Sequence, residues 1–187
     1  MTIPNMNLSE QKYESVEPGG YVVKVVDTFI DQKYNRLQLK VDIAEGPRAG
    51  YYTRLQERAN FWGLIANLYL SKDSAWKFLK AVDAFRESNA DFQWENDGEN
   101  DERTMIGKFV GAVIQRYHYM GNDGTKKTKM LIHHLVPVDD IHNGKFKIPE
   151  DSYAKDFPKE APASMNVVDT TSEIPAGFTE SAEEDPF

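Results

Sequence analysis

Between Met105 and Val136 the chain reads MIGKFVGAVIQRYHYM, then GNDG, then TKKTKMLIHHLV. Two runs rich in β-branched and aromatic residues flank Gly121-Asn122-Asp123-Gly124, and Asp-Gly between such runs is a strong short-range hairpin signal. With the turn placed on all four of these residues, Arg116 faces Lys129, Ile114 faces Leu131 and Val110 faces Leu135. A two-residue Asp123-Gly124 turn changes the partners but still sets even residues of the first strand beside odd residues of the second, because side chains alternate with period 2. One predicted face carries Val110, Ala112, Ile114, Leu131 and Leu135 at the base, then Arg116, His118, Lys127 and Lys129 towards the tip. The other carries Phe109, Val113 and Ile132 at the base, then Tyr117 and Tyr119. An apolar base with an aromatic and cationic tip suggests a ribbon rooted in a core and reaching over something flat and negatively charged.

The residues before the ribbon must supply that core. Residues 1–18 are polar and end at Pro18-Gly19-Gly20, a loose lead-in. Residues 21–30 read as a largely buried strand. Residues 36–43 alternate cleanly, with Leu37, Leu39, Val41 and Ile43 inward and Arg36, Gln38, Lys40 and Asp42 outward. A short turn over 31–35 joins the two as a meander. After the corner at Gly46-Pro47 and Gly50, residues 51–56 form the predicted third strand, with Tyr52, Arg54 and Gln56 on one face. Residues 61–70 fit a strand or a short helix equally well. Residues 74–88 form a helix capped by Asp73 or Ser74, its apolar stripe Trp76, Leu79, Val82 and Phe85 widened by Phe78, with Lys72, Lys77 and Lys80 outward. Three strands, one helix and a two-stranded ribbon make a mainly β chain. That is the element order of a five-stranded OB-fold barrel with its helix between strands 3 and 4, a pattern shared in large part by other small β-barrels and sandwiches.

Charge divides the chain in two. The net charge is −8, yet from Glu150 to Phe187 ten acidic residues stand against only Lys155 and Lys159, which leaves 1–149 formally neutral. An acidic balance ordinarily argues against a nucleic-acid partner; here it belongs to the tail. Residues 150–187, rich in Pro, Ala, Ser, Thr and acid, lack the apolar surface to offset ordering entropy and are expected to be disordered. The expected domain is therefore 1–149, ordered from about residue 19. The chain has no Cys, so disulfides and thiolate chemistry are excluded and a reducing cytoplasm is the simplest location. No apolar run approaches the roughly 20 residues of a membrane span, and the first residues are too polar for a signal peptide.

Several short segments resemble a group of tailed-phage single-stranded DNA-binding proteins. They are Gly20-Tyr21, Val41-Asp42-Ile43-Ala44-Glu45-Gly46, Phe78, Ser88-Asn89, Gly107-Lys108, Asn122-Asp123-Gly124 and Gly144-Lys145-Phe146-Lys147-Ile148-Pro149. The resemblance spans roughly residues 20–150 and consists mostly of turn and packing residues. Separately, Glu183-Glu184-Asp185-Pro186-Phe187 is similar to the acidic tip of bacterial single-stranded DNA-binding proteins, which ends Asp-Ile-Pro-Phe; the Ile is missing here. The two resemblances imply an OB-fold that coats unpaired DNA in replication or recombination, in a host bacterial cytoplasm, with a tail that recruits partner proteins through those five residues.

The residues expected on DNA are Arg36, Lys40, Tyr52, Arg54, Trp62, Arg116, Tyr117, Tyr119, Lys127 and Lys129. Aromatic rings suit sequence-tolerant binding because every base has a π-face, and cations beside them track the phosphates. The same residues also suit an ordinary ribbon with solvated Lys and amphipathic Tyr, and Trp62 and Trp94 suit packing. His133 and His134, as strand neighbours, should point to opposite faces and so share no ion. The acidic run at 95–102 lacks Asp at the first position of a calcium loop, where Gln93 stands. No G-x-S-x-G, Walker A loop or Cys nucleophile is present. No metal, cofactor or catalysis is expected. A strand-annealing protein and a β-barrel adaptor remain as rival readings, and a homo-oligomer is compatible with all three.

Overall fold

The strand over Gly19–Asp31, β1, takes part in two pairings. The structure is a computed structural model that describes residues 16–96 and 98–158. In it the first half of β1 pairs antiparallel with β4 (Phe109–Met120), and the second half with β2 (Arg36–Ile43). The ladder to β2 slips by one residue between Val25↔Val41 and Asp27↔Lys40, leaving Val26 as the extra residue. Such a bulge bends a strand and increases its twist, which lets β1 serve both neighbours. β2 pairs in turn with β3 (Ile65–Tyr69), and β4 with β5 (Lys126–Val136). The antiparallel order is thus β3-β2-β1-β4-β5, with the short strand β6 (Ser152–Tyr153) parallel to β4. No ladder joins β3 to β5 among the described residues, so the sheet is not closed.

β2 follows the predicted alternation, with Leu37, Leu39, Val41 and Ile43 all buried. They meet Val110, Ala112 and Ile114 of β4, and Val82 and Phe85 of the helix α2 (Ala75–Ser88), in one core. The helix lies between β3 and β4, as expected, but its buried face is turned: Trp76 is 54% and Leu79 38% exposed, while Ala81, Val82, Ala84 and Phe85 are buried. Phe78 packs against the core beside Trp94.

Residues 51–56, predicted as the third strand, instead open a helix, α1 (Tyr51–Ala59). The third strand is β3, in the stretch that periodicity left undecided. The cause lies on β2. Asp42, expected to face outward, is buried and caps α1 from a distance. Its Oδ1 accepts the N–H of Tyr52 at 2.9 Å, and its Oδ2 accepts the N–H and hydroxyl of Thr53 at 3.0 and 2.5 Å. Those are the orphan donors of a helix start, satisfied by a carboxylate that also complements the helix dipole.

The expected domain end also moves. Residues 150–158, expected to be disordered with the tail, are described, and β6 lies among them. The compact unit runs to Phe157. The remaining tail and residues 1–15 of the expected lead-in lie outside the described residues, and Val16, near the end of that lead-in, is buried in the core rather than loose. Between β5 and β6 a one-turn helix, α3 (Val138–His142), precedes Phe146, whose ring packs over Gly20 so closely that a Cβ there would run into it. Among the described residues no helix is long and apolar enough to cross a membrane.

Candidate functional site

The loop between β4 and β5 decides which side chains the ribbon presents. Gly121 N–H donates to Thr125 O at 2.8 Å and Gly124 N–H to Gly121 O at 2.9 Å, with Gly124 at φ 73°. Asn122-Asp123-Gly124 is therefore a three-residue loop ending in a left-handed residue, a common hairpin form that was not among the expected ones. Its odd count shifts the tip register by one, giving Tyr117↔Lys129 and Tyr119↔Lys127. The predicted faces are thereby corrected at the tip: Lys127 and Lys129 lie with Tyr117 and Tyr119, not with Arg116 and His118. Nearer the base the register moves one further position between Val113↔His134 and Ile114↔Ile132, with His133 as the extra residue, and the second step restores the parity of the faces. Ile132 rather than Leu131 faces Ile114, while Leu135 returns to the inner side beside Ala112.

The tip is an aromatic and cationic surface. The rings of Tyr117 and Tyr119 stack with centroids 6.2 Å apart and planes 19° from parallel. Lys129 Nζ sits 5.4 Å from one centroid and 5.3 Å from the other. Lys127 is tethered to the turn by Asp123 Oδ2 at 3.0 Å. The Thr125 hydroxyl, Lys127 and the Thr125 N–H together pull the Asp123 carboxyl down to about 2.

Tyr119 and Lys129 border a groove of about 810 Å³ whose other side is made by Tyr51, Phe61 and Trp62. Trp62 is half-buried, its Nε1–H shared between Val41 O and Leu64 O at 3.1 and 3.0 Å, and Lys40 Nζ lies 4.3 Å from its ring centroid. Among the described residues Lys40 and Lys129 each meet aromatic rings and no carboxylate. Arg116 also borders the groove, but its guanidinium already meets Glu17 at 2.6 Å and Asp151 at 3.8 Å.

The expected set thus divides. Trp62, Arg116, Tyr119 and Lys129 converge on the groove, with Tyr117 beneath Lys129, while Lys40 touches it only through the Trp62 ring and itself lines a smaller pocket with Phe29. Arg36 does not join them: it makes a double contact to Asp31 Oδ2, at 3.0 and 2.9 Å, and lies over Tyr34. Arg54 folds back onto Ala49 O at 2.7 Å. Tyr52 lines the groove's inner wall but is only 4% exposed, and burial raises its phenol well above the usual range. It is a packing residue on a helix, not a stacking residue on a strand.

Three features escaped the sequence reading. Phe61, 58% exposed at the groove, sat in the undecided stretch. His118 is enclosed by the segment expected to be disordered: Asp151 Oδ2 lies 2.7 Å from its Nε2, Tyr153 stacks on it at 4.7 Å, and Ala154 N–H donates to its carbonyl at 2.8 Å. The third is the histidine pair. The bulge at His133 brings the rings of His133 and His134 together rather than apart, with their Nδ1 atoms 2.7 Å from one another. That is hydrogen-bond distance. Among the described residues no group of three or more His, Cys, Asp or Glu side chains could hold a metal ion.

No family model matches the chain, and neither does any curated protein.

Proposed function

We propose that the protein binds single-stranded DNA in the groove between the ribbon tip and Trp62. The observation that carries the reading is Lys129 poised over two stacked tyrosines at the groove's edge. A base that stacks on Tyr119 displaces the ammonium, which then meets the adjoining phosphate; one residue pair serves both parts of a nucleotide. Lys40 over Trp62 repeats the arrangement on the opposite side. The strand order supports an OB-type barrel with its β3–β5 seam open, since β3-β2-β1-β4-β5 is the cyclic order of that fold cut once. In such barrels the second and third strands and the β4–β5 loop are the usual oligonucleotide surface, and the groove draws on β2, β3 and the strand ends that flank that loop. The reading extends to a non-enzymatic, phage-type coating protein acting in replication or recombination, in a bacterial cytoplasm, with partners recruited through Glu183 to Phe187.

Fluorescence anisotropy with single-stranded and duplex oligonucleotides tests it. Single strands bind with little sequence preference and more tightly than duplex, and affinity falls as salt rises by a log–log slope of roughly −0.7 for each phosphate neutralised. Tyr119→Ala costs about 1–3 kcal/mol with little change in that slope, whereas Lys129→Ala makes the slope shallower. Equal or tighter binding to duplex defeats the coating role. A folded Tyr119→Ala/Lys129→Ala double variant that binds like the wild type places the binding surface elsewhere.

A further inference from the structure

A second cavity, of about 400 Å³, lies where β3 and β5 approach one another beneath α2. Its floor is apolar, with Ala66, Leu68, Phe78, Ala81 and Ile132. Its titratable lining is of one kind: Lys77 and Lys80 from α2, His133 and His134 from β5, and the Tyr69 phenol from β3, with no carboxylate among them. In a chain of net charge −8, that is a place built for an anion. Trp76, 54% exposed at the rim, has Lys80 Nζ 5.0 Å and Lys77 Nζ 5.4 Å from its ring. It offers a second planar surface with a cation against it. Asn67 of β3 lines this cavity and the groove alike, and Gln38 Nε2 holds its Oδ1 at 2.8 Å.

We infer that this cavity receives one further nucleotide of the strand held in the groove, its phosphodiester against Lys80 and the histidine pair and its base against Trp76 and the apolar floor. The strand therefore crosses the open β3–β5 seam at Asn67. The inference rests on the single-strand reading of the groove. It adds a proton to the reaction. The Nδ1–Nδ1 hydrogen bond needs one bare nitrogen as acceptor, so it survives only while at most one ring is protonated. Burial, His133 and Lys80 all hold His134 below its ordinary value in the free protein. A phosphate oxygen between the rings accepts from both and favours the second proton. Binding at this cavity is then coupled to proton uptake and tightens as pH falls.

The experiment uses the full chain with histidine ring nitrogens isotope-labelled, His133 and His134 assigned by substitution. The oligothymidylates are of increasing length, and their phosphodiesters keep one charge each across the pH range. Oligonucleotides long enough to leave the groove shift both histidine signals. Their affinity rises by up to about tenfold per pH unit as pH falls towards the lowered His134 value of the free protein, and levels off below it. Short ones that fill the groove alone do neither. Lys80→Ala, on an exposed helix position, weakens only the long ones, and His133→Ala flattens their pH dependence. If long oligonucleotides bind through Tyr119 yet leave the histidine signals and pH dependence unmoved, the inference falls and the groove reading stands. If the histidines respond to oligonucleotides while Tyr119→Ala changes nothing, the groove reading falls instead. A response to thymidine monophosphate but to no oligonucleotide makes the cavity a free-nucleotide site and overturns the strand path.

Discussion

Asp42 stands on the outward register of β2 and is nevertheless buried, because the start of α1 has been brought to it. Its removal strands donors rather than simply losing contacts. Asp42→Ala leaves the Tyr52 and Thr53 N–H groups without their acceptor and costs about 2–3 kcal/mol, read as a lower midpoint in urea. His134 gives a stability effect of defined sign. Its folded value lies below the ordinary 6.5, so just under that pH the unfolded chain takes up a proton that the folded chain refuses. Stability therefore falls as pH drops from about 6.5 towards the folded value and levels off below it. His134→Ala flattens that segment of the urea-midpoint profile; a profile unchanged by the substitution removes His134 as its source.

At the scale of elements, the ribbon depends on a single left-handed residue. Gly124→Ala places a Cβ at φ 73°, costing about 1–2 kcal/mol. It also loosens the register that holds Lys129 over Tyr117 and Tyr119, so anisotropy should show weaker single-strand binding without any contact being deleted. What could be read in the sequence follows from how each element is stabilised. β2 was legible because one face is buried along most of its length and period 2 shows it directly, whereas the base of β4, buried without a break from Val110 to Ile114, showed only as an apolar run. α1 was not, because its cap is remote in sequence: Gly50 occupies the N-cap position without a side-chain bond, and the true acceptor is ten residues upstream. β6 is two residues long, too short for any periodicity, and is held by the His118, Tyr153 and Phe157 rings. At the site, the residue types were legible but their shared face was not, since parity turns on whether the loop has three residues or four. The segments that carried the family resemblance prove to be joints. Asn89 exchanges hydrogen bonds with the backbone of Phe109, the Ser88 hydroxyl accepts from Val138 N–H, and Phe146 closes over Gly20. Joints speak to architecture and leave the binding surface to other residues.

Across the whole molecule, charge is segregated. The groove and the second cavity gather cations, while the acidic excess lies towards the end of the sequence. A tethered polyanion is present at high effective concentration beside any cationic surface it can reach and competes there with phosphate. A chain shortened to residues 1–158 should bind single strands more tightly than the full chain at low salt, and the two affinities should converge as salt screens the exposed carboxylates; titrations at two ionic strengths decide it. The two register shifts in the ribbon have a further consequence for how such a molecule can change. The odd loop and the extra residue at His133 each displace the β4–β5 phase by one position in the same direction, and a displacement of two restores the parity of the faces. The face of the tip is set by β4, which runs without an extra residue from Ala112 to Met120, and the irregularities are carried by β5 alone. A residue gained in the loop, or lost at His133, is taken up on that strand. Variation in length there alters the loop and the histidine corner, while Tyr117 and Tyr119 keep the face that β4 sets.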